Sequence, residues 1–304
     1  MISILAAPTN LGLRPPQETS VPGCAKAPEA LREAGLHARL LRDGAEDAGV
    51  VIAGRYVDDW VSGSGRVRNQ DALVDHATRL AGRIDAILDQ GRAPLVLGGD
   101  CSVLVGTGVA LARRGRYGLV HIDGHTDFRH PGNSDRCASV AGEDLAAAVG
   151  LHWTAVSDIE GLSPYFAPEH VVHVGCRDGD EELDEVREVL AGVVPARQWI
   201  TDPAGALDTI RRTVAADGLD GYWLHVDIDV LDPAYMPAVD SPDPGGLAPR
   251  QLTALLGELA AGAVGADVCV FDPDLDSGGG YARLVADTIA GGLGGLGGLG
   301  AREA

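Results

Sequence analysis

Short apolar runs alternate along the chain with stretches whose apolar residues recur every three or four positions. Residues 2–6, 94–97, 117–122, 170–174, 222–226 and 267–271 are apolar at nearly every position, and most run into Gly or Asp. Such runs predict strands buried on both faces, as in a parallel sheet. Between them, residues 28–35, 71–90, 180–191, 203–216 and 249–261 carry helical spacing. In the second of these, Leu73, Ala77, Leu80, Ile84 and Ile87 fall on one face. Strand and helix alternating over the whole length predict an α/β fold with a mostly parallel sheet. Low-complexity sequence is confined to the end, so residues 1–290 read as one domain. Residues 291–300 read GGLGGLGGLG, and 291–304 are expected to form a flexible Gly/Leu-rich tail.

Composition narrows the functional classes. Of 304 residues, 45% are apolar and 22% charged, which suits a globular protein rather than a disordered one. The net charge of −20 argues against a nucleic-acid surface or a basic membrane-binding patch. No run approaches the roughly 18 apolar residues of a membrane span. The apolar start at residues 2–7 has no basic residue before it and is too short for a signal peptide. Five scattered cysteines do not make a disulfide framework. A soluble cytoplasmic protein in a reducing compartment is the expectation.

Three apolar runs end in polar clusters: Gly98-Gly-Asp-Cys-Ser102, Asp123-Gly-His-Thr-Asp127 and Asp227-Ile-Asp-Val-Leu-Asp-Pro233. Ligands of open α/β sheets bind beyond the carboxyl ends of the strands. In extended backbone, residues two apart project to the same side. Asp123, His125 and Asp127 can therefore converge, as can Asp227 and Asp229. Four carboxylates and an imidazole on one edge would be costly without a compensating cation. That many donors fits two divalent ions with bridging carboxylates. Mixed oxygen and nitrogen donors suit Mn, Fe, Co, Ni or Zn better than Ca.

These residues resemble the ureohydrolases, the group of arginases, agmatinases and formiminoglutamases. GGDCS is similar to the family's GGDHS, DGHTD to DAHxD, and HVDIDVLDP to S-x-D-x-D-x-x-D-P. Residues 4–8, the segment from Gly23 through 27–35, and Gly175-Cys-Arg-Asp-Gly-Asp180 extend the resemblance over nearly the whole chain. The resemblance implies a three-layer α/β/α sandwich with about eight strands, and a homo-oligomer, trimer or hexamer. It implies two divalent ions, foremost Mn2+. One would be held by Cys101, Asp123, Asp127 and Asp227, the other by His125, Asp123, Asp227 and Asp229. It implies hydrolysis of a C–N bond in a small amidine or guanidino compound. A metal-activated hydroxide would attack, with Asp127 passing the proton to the leaving nitrogen.

The sequence departs from the family in four places. Cys101 stands where His is usual; a thiolate there would favour Zn, Fe or Co over Mn, while the alternative is a small buried residue beside the site. The His-Gly pair after DAHxD is replaced by Ala141-Gly142, leaving Glu143, Asp144 or His130 to shuttle protons or to act only as surface or helix-cap residues. Of these, Glu143 is the expected catalytic partner of Asp127. Val270 occupies the position of the guanidinium-binding Glu, so Asp272, Asp274 or Asp276 would have to substitute, with Asp272 the foremost candidate. Arg129, after DGHTDF, and Asp180 are expected to bind a carboxylate and an amino group of the substrate. Three readings follow: a urea-releasing hydrolase, a formiminoglutamase-type hydrolase, and a catalytically weak regulator or scaffold.

Overall fold

The structure, a computed structural model, describes residues 1–298. Eight strands form one parallel sheet in the order β2-β1-β3-β8-β7-β4-β5-β6. They are β1 (Ile2–Ala7), β2 (Glu46–Val50), β3 (Ala93–Gly98), β4 (Gly118–Ile122), β5 (Val171–Val174), β6 (Gly192–Val194), β7 (Tyr222–Asp227) and β8 (Ala263–Cys269). Every residue of β1, β3, β4 and β5 is buried, because helices cover both faces of the sheet. This is the expected α/β/α arrangement.

The six expected strands are all present, with one shift. The last run leaves the sheet at Cys269, before Val270 and Phe271. Val270 takes a left-handed φ of 72°, which turns the chain out of the strand. The two further strands are the edges. β2 (EDAGV) is largely exposed and polar, and β6 has three residues. Neither gives an apolar run.

Helix Gln70–Leu88 buries Leu73, Ala77, Leu80, Ile84 and Ile87 as its spacing dictates. It packs on helix Val103–Arg114, where a side chain at Gly106 would come 2.9 Å from the carbonyl oxygen of Ala77. The expected tail is helical at its start. Helix Gly280–Leu293 runs through 291–293, and Leu293 and Leu296 are buried in the core. The leucines of that repeat supply enough apolar surface to hold it down. The rest of the expected tail, 299–304, lies outside the described residues.

The ends of β3, β8, β7 and β4 lie side by side, so the three polar clusters meet at one edge.

Candidate metal centre

Each cluster is held by its own backbone. Asp100 accepts N–H bonds from Gly12 (2.8 Å) and Ser102 (2.9 Å), fixing the turn that presents Cys101. Gly99 permits that turn, since a Cβ there would lie 1.7 Å from the carbonyl oxygen of Thr9. Asp123 Oδ1 accepts from the backbone N–H of His125 (2.6 Å), and Asp227 Oδ1 from that of Asp229 (2.7 Å). Asp127 sits at φ 46°, a left-handed conformation Asp tolerates, which turns its carboxyl back toward the other acids.

The six expected ligands come together. The Cys101 thiol donates to Asp227 Oδ2 at 2.9 Å. His125 Nδ1 is 2.9 Å from Asp229 Oδ2 and 3.8 Å from Asp123 Oδ1. His125, Asp127, Asp227 and Asp229 line a cavity of about 870 Å³, with Val270 in its wall. Burial raises the carboxyls of Asp123, Asp127 and Asp227 well above the usual range, and the neighbouring carboxylates push them further. Burial also opposes charge on His125 and Asp229. Their mutual hydrogen bond and attraction prevail, holding His125 at about 9 and Asp229 below its ordinary value. The Cys101 thiol is pushed up by burial first, then by Cys269 and Asp227.

A divalent cation fits these residues. Asp123 Oδ2 is buried without a hydrogen-bond partner, and Asp123 and its neighbours Asp127 and Asp227 are held toward their neutral forms. A cation among them removes both penalties and lets the thiol ionise.

The other expected site residues are placed less simply. Arg129 and Asp180 both line the cavity. Arg129 is half-buried, with its Nε 3.9 Å from Glu182. Asp180 accepts from the backbone N–H of Thr126 at 2.9 Å and from its hydroxyl, so both oxygens brace the loop after His125. Glu143 also reaches the wall, but its oxygens are occupied. Oε1 accepts from the N–H groups of Ala138 (2.8 Å) and Ser139 (3.2 Å), and Oε2 pairs with His152 Nε2 at 2.9 Å. Both oxygens of Glu143, the expected proton shuttle, are thus engaged at the cavity wall. His152, given no role from sequence, is its partner. The structure does not bring Asp272, the expected guanidinium partner, to the other site residues. It lies outside the cavity lining and caps a turn, accepting from Gly23 N–H (3.1 Å) and Asp274 N–H (2.9 Å). The cause is Val270, whose φ swings the following residues away from the strand end.

Sequence reasoning missed Asp240 and Asp243, which lie on the cavity wall in a loop without strand or helix signal. Desolvation and the Asp229 charge push Asp240 up to about 6. Asp243 reaches His125 Nε2 at 3.3 Å. Arg177, in the same wall, donates to the carbonyls of Asp229 (2.9 Å) and Asp243 (2.7 Å), tying that loop to the end of β7.

A parallel sheet that brings acids and a histidine to a cavity at its carboxyl edge, with a buried thiol behind them, defines an α/β protein with a candidate metal centre. The chain belongs to the arginase family, whose model matches residues 1–293. It is 33% identical to the arginase of Bacillus caldovelox over 283 residues, covering 90% of this chain and 92% of that one. The native crystal structure of that arginase superposes with a TM-score of 0.85 at 31% identity, covering 97% and 98% of the two chains. The formimidoylglutamase of Halobacterium salinarum is 30% identical over 283 residues, covering 88% of this chain and 80% of that one. The chain is thus a hydrolase of the ureohydrolase family.

Proposed function

We propose that the chain hydrolyses a C–N bond in a small amidine or guanidino compound, using two divalent ions. The observation that carries this reading is the convergence of Cys101, Asp123, His125, Asp127, Asp227 and Asp229 from three strand ends, four of them lining one cavity. Asp123 and Asp227 would bridge the ions. When bound, such ions polarise a water so that it attacks near neutral pH. Asp127, which lines the cavity, would take a proton from the attacking water and deliver it to the leaving nitrogen. Glu143 and Asp180 keep the wall rigid around the reacting carbon.

Two observations favour an N-formimino amino acid as the second reading of the substrate. Val270 gives the wall no carboxylate where a guanidinium would need one, and Arg129 offers a fork to a substrate carboxylate. The five cysteines, all free and buried, support a reducing, cytoplasmic setting, and a homo-oligomer is expected with it. Among the described residues, no helix is long and apolar enough to cross a membrane.

The test is a screen of guanidino and formimino compounds with Mn2+, Co2+, Ni2+, Fe2+ or Zn2+ supplied. Urea release supports the first substrate class, and formamide or ammonia release supports the second. Hydrolysis of neither with any metal overturns the enzymatic reading and leaves the regulator or scaffold.

A further inference from the structure

Directly beneath the carboxylate centre lies a row of titratable side chains that the proposed reaction does not use. Asp267 on β8, His225 on β7, His121 on β4 and His173 on β5 are register partners across four adjacent strands, and all are fully buried. His121 and His225 precede Asp123 and Asp227 by two residues, so they point to the same side one step deeper. Their rings stack with centroids 4.7 Å apart and 17° between planes. Asp144, at the start of helix Asp144–Ala148, closes the row from above, with Oδ1 3.3 Å from His121 Nε2 and Oδ2 3.5 Å from His225 Nε2.

The hydrogen-bond pattern leaves this row incomplete at one point. Asp267 Oδ2 accepts from Trp223 Nε1 at 2.6 Å, and Asp267 Oδ1 lies 2.5 Å from His225 Nδ1. That carboxylate holds the proton on Nδ1, so His225 Nε2 presents a lone pair. Nε2 has no hydrogen-bond partner, nor has Asp144 Oδ2 opposite it, nor Asp123 Oδ2, which is 3.9 Å from His121 Nε2. Two of these, His225 Nε2 and Asp144 Oδ2, thus face each other 3.5 Å apart unsatisfied, at a cost of about 1–3 kcal/mol each.

We propose that His121, His225 and Asp144 form a buried structural site for a zinc-like divalent ion, with a fourth position open to water, beneath the carboxylate centre. Donors at 2.0–2.1 Å from a tetrahedral ion lie about 3.3 Å from one another, and His121 Nε2 and His225 Nε2 lie 3.3 and 3.5 Å from the two oxygens of Asp144. Two imidazoles and one carboxylate leave the loaded site with a single positive charge, beside the acids of the centre above. Asp267 behind His225 is the orienting carboxylate that histidine ligands of zinc commonly have. His173 Nδ1, 3.0 Å from His121 Nδ1, serves His121 in the same way. His121, His225 and Asp144 lie outside the cavity lining, so the ion touches no substrate. It ties β4, β7 and helix Asp144–Ala148 together below the floor of the cavity.

The experiment is anomalous diffraction at the zinc edge from Zn2+-loaded crystals of the full chain, together with elemental analysis of the ions retained after brief chelation. The expected results are a peak between His121 Nε2 and His225 Nε2, and one slowly released ion per chain. That ion should persist in Asp229→Asn, which damages only the upper centre, and be lost in His225→Ser. Zinc density in the upper centre with none between the two imidazoles overturns the proposal. So does an unchanged ion count in a folded His225→Ser variant. Should that variant not fold, the wild-type anomalous map decides. Turnover is not a readout, so failure of the proposed catalytic function leaves this test intact.

Discussion

Replacing Glu143 separates a wall-positioning carboxylate from a proton carrier. The side chain is 1% exposed and accepts two backbone N–H bonds, from Ala138 and Ser139, besides the His152 contact. His152 Nδ1 accepts from Trp153 N–H at 2.8 Å, so the ring proton sits on Nε2 and is donated to Glu143. Alanine at 143 would orphan three buried donors at once. Removing one partner of such a buried pair costs about 3–5 kcal/mol. For a chain of 304 residues, an unfolding entropy of about 2.1 cal/mol/K per residue converts that into a fall in Tm of about 5–8 °C. Glutamine keeps the oxygen that serves Ala138 and Ser139 but sets an NH2 against the His152 N–H, a loss of about 1–3 kcal/mol. The assay is thermal unfolding followed by circular dichroism on metal-loaded protein, beside turnover on the best substrate found. Glu143→Gln should melt lower yet stay within about tenfold of wild-type kcat. A variant with unchanged Tm and turnover reduced by the roughly hundredfold or more typical of a lost acid or base would refute the positioning role.

Other substitutions probe other parts of the chain. Asp229→Asn removes an expected ligand and the carboxylate that holds up His125, so metal content and turnover should fall together; retained activity would sink the ligand assignment. Wild-type protein should lose about 4 kcal/mol of stability on chelation for each ion previously held at a thousandfold over its Kd, read from denaturant midpoints; identical midpoints would contradict metal binding. Cys101→His should shift the metal preference from Zn2+ toward Mn2+ in competition titrations, and unchanged preference would remove Cys101 from the ligands. His76 is buried with Nε2 on the carbonyl of Val51 (3.1 Å), and burial lowers its pKa from 6.5 to about 4. The unfolded chain therefore binds the proton first, so about 3 kcal/mol of stability present above pH 6.5 is lost as pH falls toward 4. His76→Gln should flatten that part of the stability profile, and an unaltered profile would refute the assignment. Gly99→Ala drives a methyl into the backbone of Thr9 and should cost more than about 3 kcal/mol; a wild-type Tm would show that the loop yields.

What the sequence discloses depends on how completely a segment is buried and how periodic it is. β3, β4 and β7 are apolar on both faces and end in acids, so strands and ligand positions are readable together. Helix Val103–Arg114 escapes notice because residues 103–111 are buried on all sides and carry no polar stripe. The edge strands escape because partial exposure replaces an apolar run with mixed sequence. Asp272 is misplaced by extending β8 two residues too far, through a left-handed Val270 that β-branched residues rarely adopt. His121 and His225 were within reach, since the period of two that aligns Asp123 with His125 also places the residues before them. Asp240 and Asp243 were not, because their loop owes its position to Arg177 rather than to any local pattern.

The row from Asp267 to His173 makes the sheet its own proofreader. Strand pairing is held mainly by backbone bonds and apolar packing, and neither alone distinguishes sharply between neighbouring alignments of all-apolar strands. A slip of one residue at β7 would carry His225, Asp227 and Asp229 to the opposite face and bring Val226 and Ile228 beneath the cavity. Such a chain could be compact and well packed, yet it would lose His225, Asp227 and Asp229 from the side that faces the other donors. Ion uptake at the proposed site would thus favour the alignment in which β4 and β7 present His121 and His225 side by side, adding inorganic chemistry to packing as a check on the fold.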